Sequence, residues 1–244
     1  MELITIKGDI TSLNVGAVVL PANTQLRRGS GASEAIFQKA GVKELQKACE
    51  ALAPVEVGSA IPTSGFDLPA EYIIHAVVPK WQGGEQNEYA LLSAAYLSSL
   101  MIADSLKIES VAFPLLAAGN NGFDPRVAYF VAKNTVENFE PSNNLKKVYL
   151  TIYSKTAEAL LLTLGEDIAE TPAEVLVPVK AGKHHAMAAK GAVAVKGAAA
   201  AVAGDVVGVA KKLWDEHKEE IVRIGIRMAF EAGKRALIKG KDKE

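Results

Sequence analysis

The sequence predicts a three-layer α/β/α sandwich with a mixed, mostly parallel central sheet, followed by a C-terminal helical extension. Three observations predict it. Short apolar, β-branched runs alternate with longer segments whose apolar residues recur three and four apart. The strand-like runs are β-branched or continuously apolar over four to seven residues, as central strands covered on both faces are. At 244 residues, 49% of them hydrophobic, the chain can bury one sizeable core and a small additional module.

The first strand is ELITIK, residues 2–7, and KGDIT follows it. In such sheets ligands sit at the carboxyl ends of the strands, so Asp9 and Ile10 stand where a carboxylate can accept from an amino group while an isoleucine flanks a ring. An Asx-turn or cap would place the same aspartate. The second strand, GAVVLPA (16–22), leads into PANTQLRRGSGASEAIF. There Gly29, Ser30 and Gly31 open a helix with Ser33 as its expected cap, presenting backbone N–H groups at the positive end of a helix dipole. A phosphate fits such a turn, and an ordinary strand-to-helix connection would read alike. The helix is expected across SEAIFQKAGVKELQKACEAL, residues 33–52.

YIIHAVV (72–78) is the next strand, with His75 expected as a hydrogen-bonded core residue, and NEYALLSAAYLSSLMIADSL (87–106) the next helix. The strand SVAFPLL (110–116) then stops in AAGNNGF. Ala117 and Ala118 remove bulk, Gly119 and Gly122 permit positive φ, and Asn120 and Asn121 tolerate left-handed backbone. That composition predicts a concave nest of amides around an anion. Asp124 is expected to cap the following helix, PRVAYFVAKNTVENF, with Pro125 at its first position. Because that carboxylate competes for the helix amides, the anion falls to the preceding loop. Two bare loops from different strands of one sheet edge suggest two adjacent phosphates. VYLTIY (148–153) and TAEALLLTLGEDI (156–168) complete the alternation.

The blocks KGDIT, VVLPAN, RRGSGASEAIFQKAG, GFDLPAEYIIHAVVPKW, SVAFPLLAAGNNGF and VYLTIYSKTAEAL, in that order over residues 1–168, resemble the macro domain family of ADP-ribose-binding α/β/α modules. The PAN, LPAEYIIH, PKW and GNNGF blocks are similar to the branch found fused to a core histone variant. The resemblance implies ADP-ribose, free or protein-linked, as ligand, with no cofactor or metal. It implies that Asp9 accepts from the adenine amino group beside Ile10, and that Tyr153 covers the adenine face. Gly29, Ser30, Gly31 and Ala32 would line one side of the diphosphate, and Ala118, Gly119, Asn120, Asn121 and Gly122 the other. Asn23 would reach the distal ribose hydroxyls and Phe123 would pack beneath that sugar. Read from the residues alone, Asn23 equally braces its loop, and Tyr153 and Phe123 equally pack at strand and core.

Hydrolytic relatives that remove ADP-ribose from carboxylate side chains resemble NAANSSLLGGGGVDGAI in this region. Their aspartate position aligns with Ser33, which cannot act as a base near neutral pH without a histidine or lysine beside it. Their first asparagine is Leu20 here, and Glu34 is expected in the first helical turn. The sequence therefore reads as a binder. A hydrolase of ADP-ribosyl adducts and a tail-driven interaction protein with a vestigial pocket are the alternatives. There is no Walker lysine and no GxSxG elbow, and no acid or cysteine completes metal spacing around the four histidines. The single cysteine, Cys49, reads as a small helix-face hydrophobe. Arg27 and Arg28 are the basic pair near the site, read as a solvated loop pair.

Charge divides the chain. Residues 1–170 hold 13 Lys/Arg against 19 Asp/Glu and residues 171–244 hold 14 against 9, so −6 and +5 make up the net −1. Pro172, Pro178 and Gly182 predict a linker over 169–184 between a domain at 1–168 and a tail at 185–244. The tail is rich in Ala and Gly and then amphipathic and basic, with small residues at Ala200, Gly204 and Gly208. Charges at Lys190, Lys196, Asp205 and Lys211 interrupt it, so no transmembrane span is expected. It reads as a helical pair for self-association or peripheral attachment to an anionic surface, or as an extension without a partner. No leader pattern opens the sequence, so a cytoplasmic address is expected.

Overall fold

The computed structural model of the chain describes residues 1–141 and 144–176. The linker beyond 176 and the tail expected over 185–244, with its self-association or surface attachment, lie outside the described residues.

One sheet contains β1 (Glu2–Lys7), β2 (Ala17–Ala22), β3 (Ala60–Ser64), β4 (Tyr72–Val77), β5 (Ser110–Pro114), β6 (Lys147–Ile152) and β7 (Ala169–Glu170). Their order is β3-β4-β2-β5-β6-β1-β7. β3 runs antiparallel to β4 and the other pairings are parallel. Among the described residues five α-helices cover the sheet: α1 (Ala32–Ala40), α2 (Val42–Glu50), α3 (Glu88–Ser105), α4 (Pro125–Glu137) and α5 (Lys155–Thr163).

Alternation along each strand divides the apolar residues between two cores. Val18 and Leu20 of β2 face Ile36, Phe37 and Leu45 of α1 and α2. Ala17 and Val19 join Leu92, Tyr96 and Val131 of α3 and α4, and Leu161 of α5, on the other side. Both faces are therefore buried, which explains why the central strands lack a polar period. The result is the three-layer sandwich with a mixed, mostly parallel sheet that the sequence predicts.

In its elements and boundary the structure departs from the sequence expectations. The helix expected over 33–52 is two helices, broken at Gly41, whose φ of 99° and ψ of 101° no helix holds. Apolar periodicity runs on through the break and hides it. β3 was not anticipated because Pro62 lies inside it; as a sheet-edge strand it tolerates the missing donor. The domain boundary expected at 168 falls inside the folded unit. β7 pairs with β1 through Ile6 and Lys7, and a 3-10 turn at Ala173–Val175 brings the Val175 carbonyl to the Asn14 N–H at 2.7 Å.

His75 sits in the core as expected. The Thr63 hydroxyl donates to the Ser64 carbonyl at 3.2 Å, so His75 Nε2–H donates to Thr63 Oγ1 at 2.9 Å and Nδ1 faces Cys49 Sγ at 3.9 Å. That tautomer is assigned from the network. Burial lowers the His75 imidazole to about 3 and raises the Cys49 thiol to about 12, so neither is a base or nucleophile near neutral pH. No helix among the described residues is long and apolar enough to cross a membrane.

Candidate functional site

Because β1, β2, β5 and β6 are mutually parallel, their carboxyl ends emerge on one edge of the sheet. Strand order then sorts the loops. β2 and β5 are neighbours, which sets the Asn23–Gly31 loop beside the Leu115–Phe123 loop. β6 and β1 are neighbours with Lys7 opposite Ile152, so the Asp9 turn and Tyr153 leave adjacent strand ends.

In the loop after β2, Asn23 Oδ1 accepts from the N–H groups of Gln25 and Arg27, and its Nδ2 donates to the Arg27 carbonyl at 2.7 Å. The side chain thus holds its loop closed and keeps one amide proton to spare. α1 starts at Ala32, one residue before the serine expected to cap it. Gly31 is the N-cap instead, at φ 62° and ψ −128°, a conformation that a side chain strongly disfavours. Ser33 lies in the first turn, buried, and its Oγ accepts from the Gly29 N–H at 3.1 Å. The N–H groups of Ser30, Gly31, Ala32 and Ser33 have no hydrogen-bond partner among the described residues. These include the orphan donors that begin any helix, here with no side chain placed over them.

The loop after β5 is anchored before it turns. The Leu116 N–H donates to the buried Tyr96 hydroxyl at 3.0 Å, and Ala117 then takes a left-handed φ of 63°. Gly122, at φ 81°, is the second left-handed residue, while Asn120 and Asn121, expected to tolerate that conformation, do not adopt it. Gly122 N–H donates to the Gly119 carbonyl at 2.9 Å and Phe123 N–H to Ala117 at 3.2 Å. The N–H groups of Ala118, Gly119, Asn120 and Asn121 have no hydrogen-bond partner among the described residues. Asn121 braces the loop from outside: Nδ2 donates to the Pro79 carbonyl at 3.0 Å, and its own carbonyl accepts from Trp81 at 2.8 Å. Asn120 Nδ2 donates to Ser30 Oγ, which joins the two bare loops directly. Phe123 is buried and its ring lies edge-on to Trp81 at 5.2 Å and Tyr89 at 6.2 Å.

Asp124 caps α4 as expected, accepting from the Arg126 N–H at 2.8 Å with Pro125 first in the helix. The Arg126 guanidinium grips the same carboxylate through two nitrogens, and this pairing holds Asp124 below its ordinary pKa. That end of α4 is thus already occupied by its own anion.

At the other end of the edge, Asp9 heads a 3-10 turn at Ile10–Ser12. Its Oδ1 accepts from both the Thr11 N–H and the Thr11 hydroxyl at 2.9 Å, which fixes the carboxylate direction. Ile10 is buried behind it. Tyr153 is 83% exposed, an unusual setting for an aromatic ring in a folded domain. Arg28, near the first bare loop, pairs with Glu34 at 3.2 Å, and Glu34 also accepts from Gln38.

Sequence reasoning missed Glu88. It is 1% exposed, and its carboxylate accepts from the N–H groups of Gln82, Gly84 and Gln86 at 2.6–3.0 Å. Burial pushes this carboxyl up, but those three amides and its own outweigh burial and lower it. Glu88 thereby shapes the loop carrying Trp81, the residue that braces Asn121. The Gly83–Gly84 pair just before an acidic helix start is the sequence signal that marks it.

The fold and this edge define an α/β/α domain with unspent main-chain donors on two adjoining loops. The family model described as Macro domain matches residues 19–132, a stretch that contains both loops. A macro domain-containing protein of Ralstonia nicotianae is 41% identical over 163 residues, spanning 67% of this chain and 94% of the relative. Among solved structures, the Oceanobacillus iheyensis macrodomain with ADP is similar at 30% identity and TM-score 0.61, over 65% of this chain and 87% of that one. The Trypanosoma brucei macrodomain in complex with ADP-ribose is similar at 25% identity and TM-score 0.59, over 67% of this chain and 69% of that one. The chain belongs to the macro domain family.

Proposed function

We propose that this protein is a non-catalytic or weakly catalytic reader of ADP-ribose, free or as the terminal unit on a modified protein. The observation that carries this reading is the pair of adjoining loops whose amides, Ser30–Ser33 and Ala118–Asn121, have no partner among the described residues. A diphosphate offers the right number of adjacent charged acceptors for two such loops. Gly29, Ser30, Gly31 and Ala32 take one phosphate and Ala118 to Gly122 the other. Asp9 accepts from the adenine amino group, Ile10 flanks the ring and Tyr153 stacks on it. Asn23 donates its remaining amide proton to the distal ribose, and the Trp81–Tyr89–Phe123 group floors that sugar. The similarity to macrodomain structures holding ADP and ADP-ribose supports the ligand class.

The groups near the first loop support a reader over a hydrolase. Ser33 spends its acceptor on the Gly29 amide and has no base beside it, and Glu34 is engaged with Arg28 and Gln38. Leu20, which stands where hydrolytic relatives carry an asparagine, is 1% exposed in the core. The likeness to the branch fused to a core histone variant rests on the PAN, LPAEYIIH, PKW and GNNGF blocks and belongs to this same reading.

Calorimetry with ADP-ribose, ADP and AMP tests it. ADP-ribose is expected to bind most tightly and AMP most weakly, because AMP leaves one loop unfilled. A titration in which ADP-ribose produces no saturable heat ends the proposal. Release of ADP-ribose from a modified protein on overnight incubation would instead favour the hydrolase.

A further inference from the structure

The segment after α5 crosses the edge of the sheet where the Asp9 turn emerges. β7 pairs with the last two residues of β1, Ile6 and Lys7. Thr171 Oγ1 then donates to the Lys7 carbonyl at 2.6 Å. A Cβ on Gly8 would lie 2.4 Å from that same hydroxyl, so glycine at this position leaves the room in which the Thr171 side chain lies against the Lys7–Gly8 junction. Four residues on, the Val175 carbonyl accepts from Asn14 N–H at 2.7 Å, and Leu176 bridges Leu13. The Val175 side chain is buried in the same core as Ile6, Ile10 and Leu13. The turn bearing Asp9 is thus tied to one strap on both sides, at Lys7 before it and at Asn14 after it.

We infer that Ala169–Val175 is a clasp that sets the direction of the Asp9 carboxylate, with Thr171 as its positioning residue. This rests on the ADP-ribose reading above, since Asp9 is the group that reading assigns to adenine. A 3-10 turn of three residues has little stability of its own. Asp9 Oδ1 is held by Thr11 within the turn, so the carboxylate points where the turn points. The turn is seated by the buried Ile10 and Thr11 and is held in addition where the chain on either side of it is held. The Thr171 hydroxyl supplies that hold at the Lys7–Gly8 junction, beside Asp9 itself. The clasp lies outside residues 19–132 that the family model matches, and it is continuous with the segment that follows Leu176.

The test uses the full chain carrying Thr171→Val, with Thr171→Ser as the conservative rescue. Amide hydrogen exchange is read without ligand. The clasp requires faster exchange in residues 9–14 of Thr171→Val, unchanged exchange in β4, and wild-type protection in Thr171→Ser. Binding is then compared between ADP-ribose and inosine diphosphate ribose, in which a carbonyl replaces the adenine amino group. The preference for ADP-ribose should shrink about threefold to tenfold in Thr171→Val, the scale of one hydrogen bond, and return in Thr171→Ser. Equal losses for both ligands, or exchange identical to wild type, overturn the clasp. A wild-type chain that binds neither nucleotide overturns the functional reading instead, and the exchange result still decides whether the strap orders the turn.

Discussion

The loops after β2 and β5 offer main chain, whereas the turn after β1 and the residue after β6 offer side chains. In the first pair the amides of Ser30–Ser33 and Ala118–Asn121 stay unpartnered among the described residues, and side chains such as Asn23 and Asn121 are spent on bracing the loops. In the second pair the turn's own amide at Thr11 is spent on Asp9, and what faces outward is a carboxylate and an exposed phenol. The two ends are therefore vulnerable in opposite ways. A site of bare backbone is harmed by adding atoms, and a site of side chains is harmed by removing them.

The largest expected effect comes from adding atoms at the backbone end. A Cβ on Gly119 meets nothing within 4 Å and its φ lies outside the left-handed region, so Gly119→Glu leaves the fold alone. It places a bulky carboxylate among the amides proposed to hold a phosphate. Binding of ADP-ribose should vanish in calorimetry while the melting temperature stays within a degree or two of wild type, roughly what a harmless surface change allows. Normal affinity in this variant would remove the second loop from the site.

Removing atoms at the side-chain end should cost less. Asp9→Ala is expected to weaken ADP-ribose binding by about 1–3 kcal/mol, the scale for leaving a polar partner unpaired. It also removes the cap of the 3-10 turn, so Asp9→Asn, which keeps an acceptor for Thr11, separates recognition from stability. If Asp9→Asn binds ADP-ribose as tightly as wild type, the carboxylate is a cap and nothing more. Smaller still is Tyr153→Ala. At 83% exposure the ring contributes little to packing, so melting should be unaffected. Loss of a one-sided stack should cost about 1 kcal/mol, the low end for base–aromatic contacts. A variant that melts early would mean that the ring packs rather than binds.

Much of this arrangement was legible in the sequence, and the gaps have physical causes. β-branched or continuously apolar runs mark five of the strands, the central ones because both sheet faces are covered. β3 escaped because Pro62 argues against a strand until the edge position is known, and β7 because two residues carry no period. The bare loops were legible from composition alone. Their conformation was not: Ala117 takes the left-handed φ because Leu116 is tied to the buried hydroxyl of Tyr96 and Phe123 returns to the Ala117 carbonyl, contacts no local pattern encodes. Ser33 was misplaced as a cap because Gly31 starts the helix without any side chain. Glu88 was overlooked because its partners are main-chain amides of the loop ahead of it.

The smallest effect expected is at Ser30, where a side chain enters the backbone end of the site. Its hydroxyl accepts from Asn120 Nδ2, a side-chain bridge between loops otherwise made of main chain. If amides hold the diphosphate, Ser30→Ala removes one partly exposed hydrogen bond, worth about 0.5–1.5 kcal/mol to the closed arrangement. The ligand can replace the bridge by tying both loops itself, so part of that loss is returned on binding. Affinity should then change by less than about fivefold, with most of the change in the dissociation rate, where single-residue effects on one binding site usually fall. Stopped-flow binding reads both constants. A drop beyond about a hundredfold, or about 2.7 kcal/mol, would mean that the hydroxyl itself coordinates the ligand, and the first loop would then belong with Asp9 as a side-chain site.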